Sequence, residues 1–171
     1  MNDNLTLLPE EFITGLTEGE GCFALKFRRD VKKNRPKSPE YFGWQASFVI
    51  SLRNDDRPLL EKVKNTLDCG NLSYSKDFVS FQVCNTETLV NKVVPFFDKF
   101  RLYGKKYQDF KLWKEAVGLI YRNKRKGINI KRGKRGFIAV VWNKEDLLRL
   151  ENIRQEMKIF KSKGHPFKWT R

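Results

Sequence analysis

The sequence predicts an α+β fold in which helices cover one face of a four-stranded antiparallel sheet. Apolar residues recur with a helical period in some segments and alternate with polar residues in others, in the order α-β-β-α-β-β-α followed by more helix. The chain has 171 residues, of which 40% are hydrophobic and 14 are phenylalanine, enough for one domain with its own core. We therefore expect an apolar face beneath the helices and a polar face toward solvent.

The first element is a short helix that is predicted to begin at Pro9, because proline suits a first helical turn. Two glycines one turn apart lie on one face of this helix, and each destabilises a helix by about 0.5–1 kcal/mol relative to alanine. Such a pair suggests that another backbone packs very closely there. The face comprises Phe12, Gly15, Leu16 and Gly19, spaced i, i+3, i+4 and i+7.

Two acidic residues, Glu18 and Glu20, lie in the last turn of this helix, and Gly21 follows as a predicted C-terminal cap. The helix dipole is negative at that end and favours a cation. Acidic side chains placed against the dipole suggest a cation that the sequence does not supply. A divalent metal ion is the simplest candidate.

Segments with period-two alternation predict four strands, and turn residues and helix caps between them predict the connecting helices. The helix between the second and third strands is predicted to stop at Gly70, and Thr86 is predicted to cap the helix after the fourth strand. The strands are predicted near residues 22–28, 41–53, 71–75 and 78–84, and further helices begin near Pro58, Lys105 and Asn143.

The chain is strongly basic, with 35 Lys and Arg against 20 Asp and Glu and a formal net charge of +15. This balance indicates a polyanionic partner. Residues 122–135 hold eight basic residues and no acid, and are predicted to form a loop or hairpin on a phosphate backbone. We expect no membrane partner, since no apolar run could span a bilayer and no signal peptide is recognised.

We divide the chain into a core domain, 1–121, and an extension of the same domain, 122–171, made of the basic loop and a C-terminal helix.

The segment from Ile13 to Gly21 resembles the LAGLIDADG motif of homing endonucleases, with Glu18 and Glu20 where that family has aspartate or glutamate. The predicted order of elements in the core domain is similar to the αββαββα core of the same family, whose sheet lies in the DNA major groove. The resemblance implies a site-specific endonuclease that makes a metal-dependent double-strand break in a long, roughly palindromic target. The motif occurs once in the sequence, which implies a homodimer joined through the glycine-bearing face of the first helix.

The resemblance also implies the residues of the active site. Glu20 would hold Mg²⁺ together with the carbonyl of Gly19, whereas Glu18 would support the helix ends. A lysine near the start of a helix after the fourth strand assists catalysis in the family, and Lys105 or Lys106 matches it here. Mn²⁺ would substitute for Mg²⁺, Ca²⁺ would bind without efficient cleavage, and no small-molecule cofactor is implied.

The polar face of the sheet and the basic tracts are the predicted DNA surface. Glutamine, asparagine, serine, tyrosine and arginine outnumber the acids there, and these side chains suit base edges and phosphates. The predicted contacts are Ala24, Lys26, Arg28, Lys32, Lys33, Arg35, Tyr41, Gln45, Ser47, Arg53, Asn71, Ser73, Ser75, Ser80, Gln82, Lys131, Arg132, Lys134 and Arg135.

Two other functions on the same fold stay open: a maturase that binds intron RNA without cutting, and a DNA-binding regulator that has lost catalysis. Such a loss usually removes the metal-binding acid, and Glu20 is present. The only histidine, His165, lies near the C-terminus, which disfavours nucleases built on histidine bases or histidine-rich metal sites. The sequence fits an intracellular protein, either encoded in an organelle or in the cytoplasm of a microbe.

Overall fold

The computed structural model describes residues 7–31, 40–128 and 142–161. The elements are α1 (Glu10–Glu20), β1 (Gly21–Val31), β2 (Glu40–Arg53), a 3₁₀ turn (Asn54–Asp56), α2 (Arg57–Leu67), β3 (Asn71–Tyr74), β4 (Phe78–Val83), α3 (Thr86–Thr88), a π-helical turn (Leu89–Val93), α4 (Val94–Lys99), α5 (Lys105–Ile128) and α6 (Lys144–Lys161). The strands form one antiparallel sheet in the order β1-β2-β4-β3, which confirms the predicted fold class. Within the described residues, no helix combines the length and apolarity that crossing a bilayer requires.

The apolar face of the sheet carries a buried aromatic cluster. Phe23 of β1 lies opposite Phe48 of β2, and their ring centroids are 5.3 Å apart. Trp113 of α5 packs 5.1 Å from Phe23, and Phe97 of α4 packs 5.2 Å from Phe48. All four side chains are buried. Helices α4 and α5 therefore cover one face of the sheet.

Helix α2 ends earlier than predicted. Its last residue is Leu67, and Asp68 follows in the left-handed conformation with a φ of 46°. Aspartate tolerates this conformation better than most residues because its short polar side chain can form local hydrogen bonds. Asp68 therefore stops the helix, two residues before the predicted stop at Gly70.

The cap of α3 is Asn85, one residue before the predicted one. Its Oδ1 accepts a hydrogen bond from the Thr88 N–H at 3.0 Å. Thr86 is buried, and its hydroxyl accepts a hydrogen bond from the Lys124 ammonium group at 2.7 Å. Asparagine and threonine both cap helices well, so the tertiary contact with α5 decides between these neighbours.

The tract that was predicted as a basic loop begins as helix, because α5 continues through residues 122–128. Asn123 is fully buried at this end of α5. Its side-chain amide donates to Asp146 Oδ2 at 2.6 Å, and its Oδ1 accepts the Asn143 N–H at 3.1 Å. These contacts fix the start of α6 against α5. The helix is thus extended by polar contacts between segments that are distant in sequence.

Gly21 is the C-terminal cap of α1, as predicted, and its N–H donates to the Thr17 carbonyl. Its backbone is extended (φ −74°, ψ 153°) and not left-handed, and it leads directly into β1. A Cβ at this position would lie 2.5 Å from Thr17 Cγ2 and 2.7 Å from the Thr17 carbonyl oxygen. Because Thr17 is fully buried, we expect Gly21→Ala to lower the free energy of unfolding by about 1–3 kcal/mol, as overpacking does. Urea denaturation followed by circular dichroism would measure this loss.

Gly118→Ala is the matched control for that substitution. Gly118 is exposed in the middle of α5, and nothing lies within 4 Å of a Cβ built on it. The control should raise the free energy of unfolding by about 0.5–1 kcal/mol, because alanine is a better helix former than glycine. Equal denaturation midpoints for Gly21→Ala and the wild type would contradict the close contact with Thr17.

Candidate active site and nucleic-acid surface

Helix α1 has a buried face and an open face. Thr17 is fully buried on the inner side. On the outer side Gly15 and Gly19 are exposed, and nothing in the described residues lies within 4 Å of a Cβ built on either. Phe12 is 45% exposed beside them, and Leu16 is half-buried. The described chain therefore does not supply the close backbone neighbour that the two glycines predict, and packing against another chain stays a prediction.

Glu18 binds the loop that precedes α5. Its Oε1 accepts hydrogen bonds from the backbone N–H groups of Tyr103, at 2.6 Å, and Gly104, at 2.7 Å. Two short hydrogen bonds to backbone N–H groups fix the position of this carboxylate. Glu18 thus ties the C-terminal end of α1 to the N-terminal end of α5, and its supporting role in an active site stays a prediction.

Glu20 is the other acid at this end of α1, and its surroundings are different. It is exposed, and its carboxylate has no hydrogen-bond or ion-pair partner among the described residues. The last turn of α1 contains no basic residue. The carboxylate and the negative end of the helix dipole therefore face solvent together, an arrangement that favours a bound cation.

The two candidate lysines differ in position. Lys106, at the start of α5, is half-buried, and its ammonium group donates a hydrogen bond to the carbonyl of Gly21. The positive charge of Lys106 therefore lies at the backbone carbonyl of the residue that directly follows Glu20. Lys105 is exposed and has no such contact. The geometry consequently favours Lys106 over Lys105 as the lysine of this site.

The donor atoms suit a metal ion that takes ligands from outside one chain. In the described ranges, no group of three or more His, Cys, Asp or Glu side chains is placed to hold a metal. Mg²⁺ prefers oxygen ligands, and it usually binds one or two carboxylates together with water and substrate phosphates. The Glu20 carboxylate and the exposed Gly19 backbone fit such a set, with further oxygens supplied by a phosphate or a second chain.

The polar face of the sheet carries the predicted mixture of basic and hydrogen-bonding side chains. Lys26 of β1 lies opposite Gln45 of β2, and Arg28 Nη1 donates to Gln45 Oε1 at 2.9 Å. Further along β2, the hydroxyls of Ser51 and Ser80 are 2.7 Å apart. The strand register places the remaining predicted contacts of the described strands on the same face, namely Arg53, Asn71, Ser73 and Gln82.

Three predicted contacts are placed differently from the rest. Ala24 and Ser47 are buried, with 9% and 4% of their surfaces exposed. They lie directly opposite each other in the sheet, and neither offers the exposed contact that was expected. Ser75 lies in the turn after β3, where its N–H donates to the carbonyl of Phe78 at 2.8 Å.

Other predicted residues fall outside the described part of the chain. The backbone of Tyr41 belongs to β2, but its side chain is not described. The contribution of Tyr41 and of the residues outside the described ranges to DNA binding stays a prediction. The residues outside the described ranges are Lys32, Lys33, Arg35, Lys131, Arg132, Lys134 and Arg135.

One basic residue of the polar face was not predicted from the sequence. Arg154 of α6 lines a concavity that it shares with Lys26, Arg28 and Gln45 of the sheet. Cys84 also lines it, and burial raises the pKa of this thiol, while Lys26 and Arg28 act in the opposite direction. The helical spacing of apolar residues in α6 could have shown that Arg154 borders the buried side of this helix. Nothing in the sequence indicated that α6 packs next to the sheet.

A family model for LAGLIDADG endonucleases matches residues 13–117. Among curated proteins, the chain is similar to the probable intron-encoded endonuclease 2 of Neurospora crassa, with 34% identity over 125 residues. This match covers 68% of the chain and 25% of the relative, so the chain spans about a quarter of that protein's length.

Two solved structures share the fold. The homing endonuclease I-TnaI matches with a TM-score of 0.67 and 21% identity, over 92% of this chain and 96% of that one. I-SmaMI, solved bound to an uncleaved DNA target in the presence of calcium ions, matches with a TM-score of 0.69 and 20% identity. The second match covers 89% of this chain and 45% of I-SmaMI.

Proposed function

We propose that this chain, which belongs to the LAGLIDADG endonuclease family, cuts both strands of a specific DNA target as a homodimer. The observation that carries the proposal is the position of Glu20. Within the family motif it is an exposed carboxylate without a partner among the described residues, at the negative end of a helix. The same helix presents two glycines with open space above them.

The homodimer is supported by the open face of α1. A helix with glycines at Gly15 and Gly19 can approach a second helix more closely than one with larger side chains, and the described chain leaves this face uncovered. The fold of this chain also spans nearly all of I-TnaI but about half of I-SmaMI, so it supplies one unit of the fold. Two copies related by a two-fold axis would meet an approximately palindromic target.

Within each active site we assign separate roles to the charged residues. Glu20 and the Gly19 carbonyl would hold Mg²⁺, or Mn²⁺ in its place. The metal would supply Lewis-acid activation of water and stabilisation of the leaving oxygen. Glu18 keeps the end of α1 fixed through the Tyr103 and Gly104 N–H groups. Lys106 places an ammonium group beside this end, where it can orient solvent or a phosphate oxygen.

A nicking assay tests the function directly. A supercoiled plasmid library of candidate sites is incubated with the protein and Mg²⁺, and we expect linear product from the plasmids that contain the target. Ca²⁺ should support binding without efficient cutting, because it demands octahedral geometry less strictly than Mg²⁺ does. Specific DNA binding without cleavage would indicate a regulator, and selective binding of intron RNA would indicate a maturase.

Since the matched curated relative is named as intron-encoded, we propose expression from an intron in an organelle or a microbe.

The polar face of the sheet is proposed to read the DNA. Alanine at Lys26, Arg28, Gln45 or Arg53 should weaken binding or change the preferred base in both half-sites, because phosphate contacts set affinity and base contacts set preference. Lys64→Ala is the matched control, since Lys64 is an exposed lysine of α2, on the other side of the sheet. Selection of bound sequences from a random library would measure the effect. Identical affinity and base preference in all four variants would remove the sheet as the reading surface.

A further inference from the structure

We propose that α6 is part of the nucleic-acid surface and that Arg154 binds a backbone phosphate of the bound duplex. This inference rests on the proposed function in one respect, that the polar face of the sheet binds DNA. It goes further because α6 lies beyond residues 13–117, which the family model matches.

The first argument is the charge of the concavity. Its polar lining consists of Lys26, Arg28, Gln45, Gln82, Cys84 and Arg154. Three of these side chains are basic, and no described carboxylate lines the concavity. Cations that converge without acids between them raise the local concentration of a polyanion.

The second argument is that α6 holds Arg154 in a fixed place. Leu150 and Ile153 are fully buried, and Met157 is 3% exposed, so the helix cannot turn about its axis without exposing them. Arg149 adds a two-pronged ion pair to Glu115 of α5, at 2.6 and 2.7 Å. Arg154 is therefore presented from a helix that is already fixed, which lowers the entropic penalty of binding.

The third argument concerns the partner that Arg154 has within the chain. Its Nη1 lies 3.5 Å from Glu151 Oε2, a long contact on the same helix. The two side chains are half-buried, with 30% and 44% of their surfaces exposed, and a pair of this length contributes little. A phosphate oxygen would offer a shorter, charge-assisted and often bidentate contact. We assign Arg154 to a phosphate and not to a base, because it reaches the concavity from a helix and does not belong to the strands whose alternating side chains face the groove.

The test compares three variants of the full chain on a fluorescent DNA duplex of arbitrary sequence, by titration at several salt concentrations. Arg154→Gln removes the charge, and Arg154→Lys keeps it. Lys144→Gln is the control, because it removes one exposed charge from the first turn of α6, which lies about 15 Å from Arg154 along the helix.

For Arg154→Gln we expect the slope of log K against log salt to become shallower by about 1 per bound chain. Raising the salt concentration from about 50 to 200 mM should therefore weaken DNA binding by this variant about three- to fourfold less than it weakens binding by the wild type. Arg154→Lys and Lys144→Gln should keep the wild-type slope.

An unchanged slope in Arg154→Gln would overturn the inference while leaving the nuclease proposal intact. Selection of bound sequences from a random library would reveal a base contact, and a changed base preference at one position with an unchanged slope would also overturn the inference. A wild type that cuts no plasmid of the candidate-site library, combined with the shallower slope in Arg154→Gln, would refute the nuclease and support this surface. A wild type whose binding does not depend on salt would overturn both.

Discussion

Glu20→Gln is expected to lower the cleavage rate by several orders of magnitude while the fold, the dimer and the DNA affinity are preserved. Glutamine has the size of glutamate, and Glu20 is exposed without a partner among the described residues, so the substitution breaks no described contact. A neutral amide is a poor ligand for Mg²⁺, and metal activation of water supplies much of the rate enhancement. Affinity measured without metal should be equal or slightly higher, because one negative charge near the phosphates is removed.

Glu10→Gln is the control that separates this effect from a loss of charge on α1. Glu10 is exposed at the other end of the same helix, about 15 Å away along its axis. Cleavage by this variant should match the wild type. The measurement pairs a gel-shift with a cleavage time course on one cognate duplex. A Glu20→Gln protein that cuts at a near wild-type rate would remove Glu20 from the active site.

Gly15→Leu is expected to leave the single chain folded and to abolish the dimer. Nothing in the described chain lies within 4 Å of a Cβ at Gly15, so a larger side chain can be accommodated there. In a symmetric dimer the same side chain would enter the contact between two backbones twice. Each insertion should destabilise the interface by about 1–3 kcal/mol. Sedimentation velocity would then detect a monomer, and cleavage should be lost together with specific binding.

The matched control is Gly118→Leu. Gly118 is also an exposed helical glycine with nothing within 4 Å of its Cβ position, but it lies in the middle of α5. The same substitution there should leave the sedimentation coefficient and the cleavage rate unchanged. A wild-type protein that sediments as a monomer on its cognate DNA would defeat the homodimer, as would a Gly15→Leu protein that remains a fully active dimer.

The strands and their faces could be predicted because side chains alternate in any strand. Phe48 and Gln45 differ in parity along β2, and this alone assigns one to the core and the other to the polar face. The exposure of individual residues on that face was harder to predict. Ser47 lies two residues from Gln45, and therefore on the same face of β2, but it is buried. Alternation assigns a residue to one face of a sheet, but it does not determine how much of that residue is exposed.

Helix ends and the C-terminal region depend on contacts between segments that are distant in sequence. The sequence of α5 around Asn123 is basic and polar, and it indicated a loop. The helix continues because Asn123 bonds to Asp146 and Asn143 in a later segment. The contribution of Arg154 to the polar face follows from the same docking of α6, which no local pattern encodes.

The direct junction of α1 and β1 has a consequence for how a nuclease of this kind can be retargeted. Glu20 and Gly21 are consecutive, so the acid and the first strand of the sheet share one uninterrupted backbone. A strand advances about 3.3 Å per residue, close to the 3.4 Å that separates successive charges of one DNA strand along the duplex axis. On the proposed function, neighbouring side chains on the polar face of β1 are two residues apart and would therefore lie about two base pairs apart along the DNA. The number of residues between Glu20 and a side chain of β1 would then set how far from the cut that side chain contacts the DNA. Replacing Lys26 or Arg28 should change the affinity or the preferred base without moving the cut, whereas inserting one residue in β1 would turn the side chains of the polar face into the core.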